Sequence, residues 1–178
     1  FVYFPMALTH GPFEPTPDSP EFDDFEPINN KTIGYRTWAG ENSPIDEFPD
    51  LKDGQDPRYY KDMVEYHDQV IGRIISKLDE LGIRDNTLVI YVGDNGSPQE
   101  VCSIMHKHDE VCGGKGLTKD TGTHVPLICN QPGTIYPMVS DDLIDSTDFL
   151  PTIIEATKIN SPENFQIDGR SFYPQLIG

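Results

Sequence analysis

Leu81-Gly82-Ile83-Arg84-Asp85-Asn86-Thr87-Leu88-Val89-Ile90-Tyr91-Val92-Gly93-Asp94-Asn95-Gly96 is the stretch on which the fold turns. Residues 87–92 form a short, continuous, β-branched run, the pattern of a strand buried on both faces. Upstream, Tyr60, Met63, Val64, His67, Val70, Ile71, Ile74, Ile75, Leu78 and Leu81 fall at the i, i+3, i+4, i+7 spacing of one helix face. Asp56 is expected to cap that helix with Pro57 at its first position, and Gly82 to close it in a left-handed cap. Its length would be about 37 Å. The apolar run Phe1-Val2-Tyr3-Phe4-Pro5-Met6-Ala7-Leu8 predicts an earlier strand, weakened by Pro5. Strand, long helix and strand predict a βαβ unit with a parallel sheet.

The other segments are less regular. Residues 11–57 hold seven prolines before Pro57 with acids crowded between them, the pattern of a long surface excursion anchored by Phe22, Phe25, Tyr35, Trp38 and Phe48. Residues 97–122 read as an irregular polar loop. Residues 125–129 predict another strand, and Leu143-Ile144 a short one. Ser146-Thr147-Asp148 predicts a cap for a helix over Phe149–Thr157, with Pro151 in its first turn.

Composition narrows the function classes. The 178 residues carry 13 Lys+Arg and 30 Asp+Glu, so the formal net charge is 13 − 30 = −17. Such a chain lacks the basic face that a nucleic acid or an anionic membrane surface needs. No run of about 18 apolar residues is present to span a bilayer. Three cysteines are too few for a disulfide scaffold.

Four local motifs can carry chemistry, and each has a plainer reading beside it. Asp94-Asn95-Gly96 is a turn signal, but at a strand's carboxyl end its carboxylate and amide oxygens suit a hard cation such as Ca²⁺ or Mg²⁺. Asn95-Gly96-Ser97 is also a glycosylation sequon, as is Asn30-Lys31-Thr32; a buried metal ligand could not be glycosylated. Gly113-Gly114-Lys115-Gly116 is either a flexible loop with a solvated lysine or a loop that brings an ammonium close to an anion. His10, just past the first run, is either solvated or a proton donor and anion contact. Cys102, His106, His108 and Cys112 do not match the usual zinc spacings. A Cys102–Cys112 disulfide stapling a loop fits better if the protein is exported. Cys129 reads as a small buried hydrophobe.

Taken in order, these pieces resemble the sulfatase family of the alkaline phosphatase superfamily. The resemblance is carried by His10-Gly11-Pro12 after the first apolar run, by Met63-Val64-Glu65-Tyr66-His67-Asp68-Gln69-Val70-Ile71-Gly72-Arg73-Ile74, and by the stretch from Leu81 into Asp94-Asn95-Gly96. Gly114-Lys115-Gly116, Gly122-Thr123-His124-Val125-Pro126-Leu127, Asp145-Ser146-Thr147-Asp148-Phe149-Leu150-Pro151-Thr152 and Asp168-Gly169-Arg170-Ser171 complete the series. Each piece is weak alone; their order and spacing make the set specific.

The resemblance implies an α/β fold: an alkaline-phosphatase-like sandwich with a mostly parallel sheet flanked by helices, present over 1–178 as a partial domain. It implies a sulfuric ester hydrolase acting on aryl or carbohydrate sulfate esters, with Ca²⁺ as the metal and Mg²⁺ as the alternative. Asp94 and Asn95 match the second pair of metal ligands. Lys115 and His10 match residues that contact the sulfate and serve catalysis, His10 near the leaving oxygen. A formylglycine nucleophile and a first pair of aspartates are expected outside this chain, since no cysteine here begins the Cys/Ser-x-Pro-x-Arg motif and no such pair precedes His10. His124 stands where the family often has arginine. The missing upstream part of the same enzyme is then the expected partner, the segment alone is expected to be inactive, and the location implied is periplasmic or extracellular. Two rival functions remain: a phosphoester or phosphonate ester hydrolase of the same superfamily, and a non-catalytic interaction module derived from the fold.

Overall fold

The computed structural model describes residues 1–25, 58–99, 101–105, 109–161 and 166–178. Outside them lie Asn30, Tyr35, Trp38, Phe48, Asp56, Pro57, His106 and His108, with the readings attached to each. The chain divides into two compact units: Phe1–Lys77 with Gly93–Val125, and Leu78–Val92 with Pro126–Gly178.

The first unit is organised by the long helix α1, Arg58–Glu80, whose last three residues belong to the second unit. Its 23 residues span about 34 Å at the usual rise. The periodic stripe is the buried one: Tyr59 and Met63 are buried, and Tyr60, Tyr66, His67, Val70, Ile71, Ile75 and Leu78 are half-buried. Val64 and Ile74 turn outward. Burial of the His67 imidazole pushes its pKa below the usual value.

Tyr59 and Met63 share a core with Val101 and with Phe13, which is only 2% exposed; Leu8, Phe25 and Tyr60 pack against it. Each fully buried apolar side chain of this size contributes about 1.5–3 kcal/mol. Two edge-to-face ring pairs order the cluster, Phe13 with Tyr60 at 5.3 Å and Phe25 with Tyr59 at 5.7 Å. Polar contacts add direction. The Tyr59 hydroxyl donates to Glu21 Oε2 at 2.7 Å, and Gln69 Nε2 donates to Asp18 Oδ2 at 2.6 Å. Hydrogen bonds from the Thr16 hydroxyl and then Gln69 hold the Asp18 carboxyl below the usual carboxylate range.

Helix α1 ends as the sequence predicts. Gly82 adopts φ +65°, its N–H reaches the Asp79 carbonyl at 2.9 Å, and the Ile83 N–H reaches the Leu78 carbonyl at 3.1 Å. This pair of bonds is the Schellman closure, which needs a residue tolerant of left-handed backbone.

Segment 97–122 is more regular than its polarity suggests. Strands β2 (Cys102–Met105) and β3 (Asp109–Cys112) form an antiparallel hairpin, followed by the single-turn helix α2 (Asp120–Thr123). Register sets Cys102 opposite Cys112, and the two are joined as a disulfide. The stapled-loop reading therefore holds, and both sulfurs are withdrawn from any zinc site.

The second unit corrects the expected sheet. β1 (Val89–Val92) is not part of a mostly parallel, alkaline-phosphatase-like sandwich; it pairs antiparallel with β4 (Leu127–Asn130). The described chain holds two small antiparallel sheets of two strands each. The parallel partner was to come from residues 1–8, and these form no strand: Phe1 is 97% exposed, and Val2, Tyr3 and Phe4 are exposed as well. A strand exists only through its neighbours, and Pro5 has no N–H to offer one. β1 is paired instead with a later segment running the opposite way. Its burial follows: Val89, Ile90 and Tyr91 are half-buried, while Val92 is exposed. The 3₁₀ turn Arg84–Asn86 leading into β1 is tied to the end of β4, where the Arg84 guanidinium bonds Asn130 Oδ1 and Gln131 Nε2 donates to the Asp85 carbonyl at 3.0 Å. Leu143-Ile144 forms no strand, and Leu143 is exposed.

Helix α3 (Phe149–Thr157) and the short helix α4 (Tyr173–Ile177) complete this unit. A capping box precedes α3: Asp145 Oδ1 accepts from the Thr147 N–H at 2.7 Å, and Asp148 Oδ2 accepts from the Asp145 N–H at 3.0 Å. Bonds from the Thr147 hydroxyl and then its N–H hold the Asp145 carboxyl below its usual range. Asp148 Oδ1 also accepts from the Arg170 N–H at 2.7 Å. Thr152 is wholly buried; its hydroxyl donates to the Asp148 carbonyl and accepts from the Phe172 N–H at 2.9 Å. Phe172 closes the joint by meeting Phe149 edge to face.

Candidate functional site

His10, Asp94, Asn95 and Lys115 all fall in the first unit. The chain leaves β1 at Val92 and turns at once through Gly93-Asp94-Asn95-Gly96-Ser97. Asp94 is exposed and Asn95 half-buried.

Against this turn lies the glycine-rich segment 113–122, and the two are stitched backbone to backbone. The Gly96 N–H donates to the Gly122 carbonyl at 3.0 Å, and the Lys115 N–H donates to the Ser97 carbonyl at 3.0 Å. The approach is possible because the residues have no Cβ. One on Gly96 would overlap the Thr121 carbonyl oxygen, and one on Gly122 would overlap the carbonyls of Leu117 and Gly114. The two motifs singled out in the sequence thus form one frame.

The hairpin rises from the same frame. The Gly113 N–H donates to the Val101 carbonyl at 2.9 Å, so the loop between Val101 and Gly113 is closed at its base by this bond and by the disulfide. Lys115 follows three residues after Cys112. It is half-buried, and its ammonium has no ion pair or hydrogen bond among the described residues.

His10 is exposed. Its N–H reaches the Ala7 carbonyl at 2.8 Å, and its ring Nδ1 lies 2.8 Å from the Gly11 carbonyl oxygen. A carbonyl only accepts, so Nδ1 carries the proton in this contact. His10 makes no direct bond to Asp94, Asn95 or Lys115. His124 lies beside Asp120, with Nδ1 to Oδ1 3.3 Å, and both side chains are well exposed.

The donor set bears on a metal. A carboxylate and an amide oxygen at adjacent positions are hard donors of the kind Ca²⁺ takes, but they are two of the six to eight oxygens it needs. Among the described residues no group of three or more His, Cys, Asp or Glu could hold a metal ion. Asp94 and Asn95 have the donor chemistry for such an ion but are too few to hold one by themselves. Ser97, noted in the sequence only as the last residue of a sequon, is a participant whose backbone role only the fold shows.

No helix among the described residues is long and apolar enough to cross a membrane.

The Sulfatase family profile matches residues 1–159. An arylsulfatase of Hemicentrotus pulcherrimus is 31% identical over 120 residues, covering 67% of this chain and 22% of that protein. Arylsulfatase A of Homo sapiens is 32% identical over 111 residues, covering 62% and 22%. An endo-4-O-sulfatase of Bacteroides thetaiotaomicron is 29% identical over 124 residues, covering 70% and 23%. The chain spans about a fifth of the length of such relatives. With most of its length matched by the profile, the chain belongs to the sulfatase family.

Proposed function

We propose that this chain supplies the anion-binding part of a sulfuric ester hydrolase. The observation that carries the proposal is the frame itself, in which the Lys115 loop is bonded to the turn that bears Asp94 and Asn95. A sulfate ester builds negative charge on its oxygens as its bond to the alcohol breaks. Fixed charges already in place stabilise that change without reorganising. Lys115 offers an ammonium that is unpaired among the described residues, on a loop whose backbone is bonded to Ser97 at Lys115 and to Val101 at Gly113. His10, with Nδ1 held by Gly11, offers Nε2 to the leaving oxygen as a proton donor when charged.

Asp94 and Asn95 would hold Ca²⁺, with Mg²⁺ as the alternative; when bound, the ion supplies positive charge for the substrate oxygens. The other metal ligands and the nucleophile come from residues outside this chain, so the segment acts with the rest of its protein. The substrate class is aryl or carbohydrate sulfate, in keeping with relatives whose names are arylsulfatase and endo-4-O-sulfatase. The Cys102–Cys112 disulfide supports a periplasmic or extracellular location, because such bonds persist in oxidising compartments.

The test is turnover of 4-nitrophenyl sulfate and 4-nitrophenyl phosphate by the intact protein. A preference for the sulfate supports the proposal. A strong preference for the phosphate would sink it in favour of a phosphoester hydrolase, and turnover of neither in favour of a binding module.

A further inference from the structure

One side chain touches two of the segments that carry the proposed site residues, and through one of them it is linked to the third. Tyr60 lies in the first turn of α1 and is half-buried. Its ring meets Phe13 edge to face at 5.3 Å, and Phe13 follows His10 by three residues. Its hydroxyl lies 2.8 Å from Ser97 Oγ. Ser97 follows Asn95 by two residues, and its carbonyl accepts the Lys115 N–H. Ser97 is therefore held on two sides, by a tyrosine through its side chain and by the lysine loop through its backbone.

We propose that Tyr60 is a positioning residue: through Ser97 it fixes the Lys115 loop, and through Phe13 it anchors the segment after His10. The inference rests on the sulfate-ester reading for its catalytic consequence, but not for its structural one. The mechanism is mechanical. Without the Tyr60 hydroxyl, Ser97 loses a fixed side-chain partner and its carbonyl is held less tightly. The acceptor of the Lys115 N–H then moves more, and the ammonium with it. Misplacing a charged group by a fraction of an ångström acts on the transition state more than on ground-state binding.

The experiment uses Tyr60→Phe, Ser97→Ala and the double variant in the intact protein. Tyr60→Phe keeps the ring against Phe13 and removes only the oxygen. Three readouts are taken: amide hydrogen exchange of Lys115, kcat and KM for an aryl sulfate, and the melting temperature. Each single variant is expected to speed Lys115 exchange about tenfold. Each should lower kcat about tenfold, with KM within about twofold and the melting temperature nearly unchanged. The double variant should be no worse than either single one, because both remove the same bond.

Unchanged exchange overturns the proposal, as does multiplication of the two losses in the double variant or a fall in melting temperature with kcat unmoved. If the intact wild-type protein cleaves no sulfate ester, the sulfate-ester reading fails while exchange at Lys115 still decides the role of Tyr60. Should one variant fail to fold, the other decides.

Discussion

Lys115 donates its backbone N–H to the Ser97 carbonyl at 3.0 Å, so the lysine loop is bonded to the turn that bears Asp94 and Asn95, some twenty positions earlier in sequence. That frame depends on the Gly96–Gly122 contact beside it. Gly96→Ala drives a methyl into the Thr121 carbonyl, which cannot be relieved by a side-chain rotation. The expected loss is about 1–3 kcal/mol of stability, as for overpacking elsewhere. Thermal unfolding of the intact protein checks it; an unchanged midpoint would show that the loops part without cost.

Asp94 is exposed and unpaired among the described residues, so its removal should leave the fold alone. Asp94→Ala is expected to lower Ca²⁺ affinity at least tenfold, about 1.4 kcal/mol or more, with the unfolding midpoint without metal unchanged. Calorimetric titration of the intact protein measures this. Equal affinity in the variant would refute the ligand assignment.

Thr152 is buried with both hydroxyl roles used, donating to Asp148 and accepting from Phe172. Thr152→Val keeps the shape but leaves the Phe172 N–H buried without that partner. A loss of about 1–3 kcal/mol is expected from chemical denaturation. A neutral result would mean that water reaches the Phe172 amide.

Burial pushes the Cys129 thiol up to about 11 from its ordinary 9.0. The thiolate is thus disfavoured in the folded state. The stabilisation from keeping the thiol neutral is present below pH 9 and is lost as pH rises through the window from 9 to 11. At pH 8 alkylation should run about 100-fold slower in the folded protein than in the unfolded chain. Equal rates would place the thiol in contact with solvent.

The sequence was legible wherever a signal was local. The stripe from Tyr60 to Leu81, the Gly82 closure and the cap before Phe149 depend on residues a few positions apart. The closure is found as read, the stripe is buried or half-buried except at Val64, Ile74 and Leu81, and the cap read at Ser146-Thr147-Asp148 begins one residue earlier, at Asp145. The sheet was not legible. A continuous apolar run such as residues 87–92 states that a strand is favourable, but not which neighbour it takes or in which direction. The run 1–8 looked equally apolar and forms no strand, because pairing is not encoded in the run itself. The hairpin between Cys102 and Cys112 was hidden by polar residues without alternation, although the cysteines marked its ends. Within the site, the glycines announced close backbone approach but not to what. Tyr60 looked like another core position of a helix, and only its hydroxyl contact with Ser97 shows otherwise.

The most direct measurement is kcat/KM of the intact protein for an aryl sulfate with Lys115→Ala, taken with saturating Ca²⁺. The Lys115 side chain makes no ion pair or hydrogen bond among the described residues, and Lys115→Ala keeps the backbone bond to Ser97, so the melting temperature should stay put while the rate falls about 100-fold or more, the loss of one fixed charge facing the transition state. An unaltered rate would make Lys115 a solvated loop residue and contradict the account of the site.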